Sequence, residues 1–288
     1  MGTFKDFRND IKPNWCPGCG DFAVQAAIQR AAANIGLSPE NLAIVSGIGC
    51  SGRISGYINA YGFHSIHGRA LPVAQGLKMA NRDLTVLAAG GDGDGFAIGT
   101  NHTIHAIRRN INITYIVMDN HIYGLTKGQT SPRSSLGAVT KSNPLGSIEP
   151  SIRALELVIS SGAGFVAQGF AGDLAQLTKI IEAGINHQGF SFINVFSPCV
   201  TFNKVNSFEW FKENIVNLDE DPDFDYTNRS QAVQKVMDHD GLVTGNIYQD
   251  HIRDSYEELV PNFRKEPIVK QDIRISQEDF QALLKVYE

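Results

Sequence analysis

The sequence predicts an α/β fold, a parallel sheet flanked by helices on both faces, and three observations carry that prediction. Apolar runs of strand length alternate with segments of helix length. The runs are apolar at successive positions rather than at every second one, as in strands covered on both sides. Glycine clusters and acids follow several of them, at the strand ends where parallel sheets gather ligands.

The elements follow in order. Residues 21–35 are rich in Ala, with Phe22, Ile28 and Ile35, and predict a helix. Residues 42–46 predict a strand, and 72–80 a helix with Pro72 in its first turn. A strand at 84–89 and a helix at 96–109 come next. Residues 111–118 hold Ile, Val, Thr and Tyr and predict a strand. A helix at 152–160, a strand at 165–168, a helix at 174–186 and a strand at 190–196 complete the alternation. There is no internal repeat and no low-complexity tract.

At 288 residues and 42% hydrophobic, the chain can build one large α/β domain or two small ones. Only 19% of residues are charged, which argues against global disorder. A net charge of −5 argues against wholesale nucleic-acid binding. No run reaches the roughly 20 apolar residues of a membrane span, and the polar first fifteen residues do not read as a secretory signal. A cytoplasmic protein with reduced thiols is therefore expected.

Charge shifts near residue 211. Residues 211–288 carry 9 basic and 17 acidic side chains, densest at Asp219, Glu220, Asp221, Asp223 and Asp225. The chain is accordingly divided into a binding domain at 1–210 and an acidic extension at 211–288. The extension is either a solvated tail or a segment folded over the main domain or a partner. Phe224, Tyr226, Tyr248, Leu259 and Phe263 offer it docking points. Because it begins soon after Cys199, it is expected to pack beside the cysteines and to shield them.

The sharpest motif is Gly91-Asp92-Gly93-Asp94-Gly95, directly after a predicted strand and before a predicted helix. Glycines let backbone N–H groups face an anion, and the helix start adds its dipole. Asp92 or Asp94 supplies a hard carboxylate for Mg²⁺. Asn120 ends the next strand, with 26 residues between it and Gly93, where its amide oxygen and a nearby carbonyl complete the metal shell. No G-x-G-x-x-G follows a strand and no P-loop motif is present, so a nucleotide site of either kind is disfavoured. Gly-Asp-Gly followed by Asn at this distance resembles the thiamine-diphosphate-binding motif.

Four cysteines remain: Cys16 and Cys19 in Trp-Cys-Pro-Gly-Cys-Gly, Cys50 in Gly-Ile-Gly-Cys-Ser-Gly, and Cys199 after Ser197-Pro198. A thioredoxin-like pair, a structural zinc, plain core packing and one [4Fe–4S] cluster all remain open on spacing alone. The thioredoxin case lacks the strand that should precede the motif, and the zinc case lacks a second close pair.

Taken together these segments resemble the β subunits of 2-oxoacid:ferredoxin oxidoreductases. The matching stretches are Trp-Cys-Pro-Gly-Cys-Gly at 15–20, Gly-Ile-Gly-Cys-Ser-Gly-Arg at 47–53 and His-Gly-Arg-Ala-Leu-Pro at 67–72. Further matches are Gly-Asp-Gly-Asp at 91–94, Asp-Asn-His-Ile-Tyr-Gly-Leu-Thr-Lys-Gly-Gln at 119–129 and Ser-Pro-Cys at 197–199. The resemblance implies one [4Fe–4S] cluster on Cys16, Cys19, Cys50 and Cys199, and Mg²⁺ on Asp92, Asn120 and the carbonyl of Ile122. It implies thiamine diphosphate contacts from Ile48, Gly49, Cys50, Ser51, His67, Gly93, Asp94, Gly124 and Leu125.

The resemblance also implies coenzyme A-dependent oxidative decarboxylation of a 2-oxoacid, with electrons leaving through the cluster to ferredoxin. A separate α, or fused γα, chain completes the site; nucleic acid and membrane have no part in it. The stretches at 67–72 and 124–129 look more like the 2-oxoglutarate type than the pyruvate type, and Arg53 or Lys127 is placed to meet a substrate carboxylate or coenzyme A. A pyruvate-specific enzyme is the near alternative. A non-redox thiamine decarboxylase subunit leaves the cysteines idle, and a bare redox or metal module leaves the glycine–acid turn idle. His102 and His105 read as packing or surface residues, and Arg108-Arg109 as a helix end.

Overall fold

The computed structural model describes residues 2–250, 253–261, 266–272 and 274–287. Its frame is an eight-stranded sheet built from β1 (Leu42–Ser46), β2 (Tyr61–His64), β3 (Thr85–Gly91), β4 (Thr114–Asp119), β7 (Phe165–Phe170), β8 (Ser191–Phe196), β9 (Val216–Asn217) and β10 (Val243–Gln249). Their order is β2-β1-β3-β4-β8-β7-β10-β9. Pairing is parallel from β2 through β7, and β10 runs antiparallel to β7. A two-stranded hairpin, β5 (Ile122–Tyr123) with β6 (Gln129–Thr130), stands apart.

The apolar runs explain the layering. Side chains along a strand point alternately to its two faces. Ala43, Val45, Val86, Ala88, Tyr115 and Val117 enter one core, beneath α2 (Ala70–Ala80), α3 (Thr100–Arg109), α4 (Ala154–Ser160) and α7 (Arg229–Asp238). Leu42, Ile44, Leu87, Ala89, Ile116 and Met118 enter the other, beneath α1 (Asp21–Asn34) and α5 (Leu174–Asn186). Both faces are thereby dry, and burial of an entire Leu or Ile side chain contributes roughly 1.5–3 kcal/mol. No helix among the described residues is long and apolar enough to cross a membrane.

The predicted helix at 96–109 is interrupted. The chain makes a π turn over Asp94–Ile98, and α3 begins only at Thr100. Gly99 joins the two, and its lack of a side chain admits the Gly68 loop, since a Cβ would lie 3.1 Å from the Gly68 Cα. The loop bearing His67 packs against the π turn through that gap. The edge strand β2 was not predicted; all four of its residues are exposed, so it lacks the apolar signal of the inner strands.

The division at 210/211 is not marked in the sheet. Residues beyond it supply β9 and β10, and α6 (Phe208–Asn214) straddles it, with Phe211 buried against Phe196 and Phe170. The extension also departs from its expected place. Glu257 in α8 (Tyr256–Leu259) accepts from the Asn112 backbone N–H, Tyr256 N–H donates to the Asn110 carbonyl, and Lys270 pairs with Asp83. Asn110, Asn112 and Asp83 precede β4 and β3, at the sheet end opposite Cys50 and Cys199. The short loops there leave carbonyls and N–H groups that this acidic segment satisfies. Tyr248 and Phe224 dock on the core as expected, Tyr226 and Leu259 are exposed, and Phe263 lies outside the described residues. The last helix, α9 (Gln277–Leu284), buries no residue.

Candidate active site

The carboxyl ends of β1, β3, β4 and β8 open at one edge. The chain leaves β1 to one side for β2 and returns on the other for β3, which is the topological switch where open α/β sheets bind ligands. A cleft at that point is lined by Ile48, Gly49, Cys50 and Ser51 after β1, by Asp92, Gly93 and Asp94 after β3, and by Asn120, Ile122, Gly124 and Leu125 after β4, with His67 beside them. The structure thus brings together every residue expected to touch thiamine diphosphate or Mg²⁺.

The two acids of the glycine turn separate by environment. Asp94 Oδ1 accepts from the N–H groups of Ile48 at 3.1 Å and Gly68 at 2.7 Å, and lies 2.6 Å from His67 Nδ1. Its other oxygen fills the space left by Gly47, where a Cβ would sit 1.8 Å away. Asp94 therefore ties three loops together and orients His67, whose Nε2 alone is left to meet a ligand. Asp92 is 2% exposed, and burial together with the nearby charge of Asp119 pushes its carboxyl up to about 7. Ser131 donates to its Oδ2, while Oδ1 has no partner among the described residues. A buried, under-compensated carboxylate beside an amide oxygen and a peptide carbonyl is the oxygen donor set of a hard divalent cation. Asn120 Oδ1 is pre-oriented by the Ile122 N–H at 3.1 Å. Of the two acids offered by the sequence, Asp92 fits the metal and Asp94 the scaffold.

Beneath this site lies a buried polar brace that sequence reasoning missed. Asp119 accepts from Arg133 Nε at 2.8 Å and Asn194 Nδ2 at 3.1 Å, and His121 Nε2 stands 3.4 Å away. Burial raises the Asp119 carboxyl, but the Arg133 and His121 charges outweigh it and hold the group below the usual range. Ser134 Oγ donates to the His121 carbonyl at 2.6 Å. Ser131, Arg133 and Ser134 sit in a polar run with no periodicity, which gave no local signal of a site. Tyr123 was also missed as a separate contact; it lines the cleft, with its ring where a Gly93 side chain would stand.

The cysteines converge beside the cleft. A Cβ on Gly124 would lie 3.5 Å from Cys199 Sγ and 3.6 Å from Cys50 Sγ, so both sulfurs face one point. The 14–21 segment is pinned there. Trp15 Nε1 donates to the Cys50 carbonyl at 2.7 Å, the Gly20 N–H to the Pro198 carbonyl at 3.3 Å, and Ser197 Oγ to the buried Asp21 at 2.6 Å. Cys16 is exposed, Cys19 and Cys50 are half-buried and Cys199 is buried. Burial pushes the Cys50 thiol up to about 12, and Cys19 in the same direction. That is the reverse of an activated thioredoxin-type thiol.

Arg53 and Lys127 are exposed and lie outside the immediate lining; Lys127 follows the lining residue Thr126 in a left-handed turn with φ of 78°. His102 and His105 are on α3, away from the cleft, and Arg108 and Arg109 end that helix.

Comparison with known proteins accords with this geometry. Residues 47–195 match the family described as thiamine pyrophosphate enzyme, C-terminal TPP binding domain. Residues 199–265 match a second family, described as the C-terminal part of the pyruvate ferredoxin oxidoreductase beta chain. The sequence is 36% identical to the 2-oxoacid:ferredoxin oxidoreductase 2, subunit beta, of Aeropyrum pernix, over 96% of this chain and 94% of that one. It is 40% identical to the 2-oxoglutarate synthase subunit KorB of Methanothermobacter marburgensis, over 74% and 78% respectively. A solved 2-oxoglutarate:ferredoxin oxidoreductase from Magnetococcus marinus, with 2-oxoglutarate, coenzyme A and succinyl-CoA bound, superimposes with a TM-score of 0.89 at 36% identity. That match covers 98% of this chain and 96% of the other.

Proposed function

The chain belongs to the β subunits of the 2-oxoacid:ferredoxin oxidoreductases, and from that premise we propose that it serves the oxidative decarboxylation of 2-oxoglutarate to an acyl-coenzyme A, passing electrons through a [4Fe–4S] cluster to ferredoxin. One observation carries the proposal. Cys50 and Gly124 both line the cleft, and Gly124 lies in contact reach of the sulfurs of Cys50 and Cys199, so the cysteines adjoin the cleft directly.

Thiamine diphosphate supplies the nucleophilic carbon and electron sink that the bond to CO₂ needs in order to break. The chain's own residues hold and orient. Asp92, Asn120 and the Ile122 carbonyl hold Mg²⁺; His67, aimed by Asp94, offers Nε2 to the diphosphate; Ile48, Gly49 and Ser51 line its path. Cys16, Cys19, Cys50 and Cys199 hold the cluster, and the Trp15 ring, edge-on to Phe22 and Tyr57, excludes water from the Cys50 side. The cleft is open, so an α chain covers it and contributes the groups acting on the aminopyrimidine and the substrate. Arg53 and Lys127 at its rim meet the second carboxylate of 2-oxoglutarate or the coenzyme A phosphates. A cytoplasmic setting suits cysteines that hold a cluster rather than pair as disulfides.

The test is to co-express the α chain with this one, purify the complex without oxygen and compare kcat/KM for 2-oxoglutarate and pyruvate. Pyruvate is the proper competitor because the match to residues 199–265 bears its name. A preference of roughly tenfold or more for 2-oxoglutarate, about 1.4 kcal/mol, is expected; a preference for pyruvate overturns the substrate assignment.

A further inference from the structure

Ser131 stands out among the buried groups that the mechanism does not use. It is 6% exposed, on the strap that follows β6, and its hydroxyl meets Asp92 Oδ2 at 2.5 Å. An ionised carboxylate only accepts, so Ser131 donates to Asp92 when that acid holds a cation, and Ser131 Oγ in turn accepts from the Arg133 N–H at 3.2 Å. The strap itself is held: the Ser131 N–H donates to Ser134 Oγ at 2.9 Å, Ser134 to the His121 carbonyl, and Arg133 to Asp119. Asp92 is therefore not a freely turning carboxylate. One oxygen is engaged on the strap side and the other faces the cleft with Asn120 and Ile122.

That arrangement matters to a cation. Mg²⁺ is small, demands near-octahedral geometry and takes single oxygens, whereas Ca²⁺ accepts six to eight ligands and readily takes both oxygens of one carboxylate. We propose that Ser131 is a positioning residue that sets the metal preference of this site, by occupying Asp92 Oδ2 so that only Oδ1 is offered to the ion and Mg²⁺ is favoured over Ca²⁺. The inference rests on the reading of Asp92 as the metal ligand for thiamine diphosphate. It adds a residue outside the glycine–acid and asparagine motifs, whose loss frees the second oxygen to bind side-on.

The experiment uses the complete complex stripped of divalent ions. Thiamine diphosphate binding is titrated by calorimetry at increasing Mg²⁺ and, separately, Ca²⁺, in the native protein, in Ser131→Ala and in Ser131→Thr. The readout is the ratio of the two ion affinities within each protein, which cancels any loss of folded material. Ser131→Ala is expected to move that ratio toward Ca²⁺ by roughly tenfold, the scale on which outer-shell partners act, while Ser131→Thr keeps the native ratio. If Ser131→Ala does not fold, Ser131→Cys, which keeps the shape with a poorer donor, takes its place. Equal weakening of both ions, or no change in the ratio, overturns the inference while leaving Asp92 as ligand. Cofactor binding by the native protein that ignores both ions overturns the metal site itself, and the inference with it.

Discussion

Gly124 lies beside both Cys199 and Cys50: a Cβ there would stand 3.5 Å from Cys199 Sγ and 3.6 Å from Cys50 Sγ. Its φ is not in the left-handed region, so the backbone alone does not require glycine there. With bare cysteines that spacing is an ordinary contact; with a cluster between the sulfurs it is not. Gly124→Val is expected to cost the iron-free protein no more than about 1 kcal/mol, yet to reduce iron per chain by roughly half or more through overpacking. Calorimetric melting and iron assay on the same sample check both halves.

Asp92 and Asp94 should fail in different ways. Asp92→Asn is expected to weaken Mg²⁺-dependent thiamine diphosphate binding by roughly 100-fold while the fold persists. Asp94→Asn loses the charge that holds Ile48, Gly68 and His67, and is expected to destabilise the fold by about 1.5–3 kcal/mol. Melting and cofactor titration on both variants separate the roles; equal cofactor loss with equal stability would contradict the assignment.

The raised Asp92 carboxyl gives a pH signature. An unfolded Asp releases its proton near pH 4, whereas the folded group holds it to about 7. The folded, metal-free state thus binds more protons in that window, and its stability falls as pH rises through it. Mg²⁺ with thiamine diphosphate must displace the proton, so close to one proton is released per site at pH 6 and almost none at pH 8. Calorimetry in two buffers of different ionisation enthalpy measures this, and Asp92→Asn should abolish the difference.

Asp119 runs the other way. Held below the usual range, it contributes stability that is complete above the unfolded value near pH 4 and is lost as pH falls below it. Arg133→Met leaves that carboxylate buried with its main cation gone and is expected to cost about 3–5 kcal/mol. A melting series from pH 7 to pH 3 should show the variant losing most of the native acid dependence.

Much of this was legible in the chain. The apolar runs at Leu42–Ser46 and Ser191–Phe196 are buried on both faces, so their composition alone told of an inner parallel strand. The glycine–acid turn and Asn120 were legible because the chemistry needs those residue types at strand ends. The residues alone left Asp92 and Asp94 undivided and only the resemblance gave the metal to Asp92; the Gly47 gap and the Ile48 and Gly68 N–H groups supply the physical distinction. Ser131 and Arg133 escaped for a similar reason: they act on partners 39 and 14 residues away, and no local pattern encodes such a contact. Sequence proximity to Cys199 misplaced the acidic segment, whose hydrogen bonds to Asn110 and Asn112 lie at the other end of the sheet.

The central claim is that the cleft and the four cysteines form one redox unit, and low-temperature electron paramagnetic resonance on the anaerobic complex tests it most directly. The protein is expected to be brown, with about four iron per β chain. A reduced-cluster signal should appear when 2-oxoglutarate and coenzyme A are added without acceptor, and should be lost in both Cys199→Ser and Asp92→Asn. A colourless protein with stoichiometric zinc, or an undiminished signal in Cys199→Ser, would contradict it.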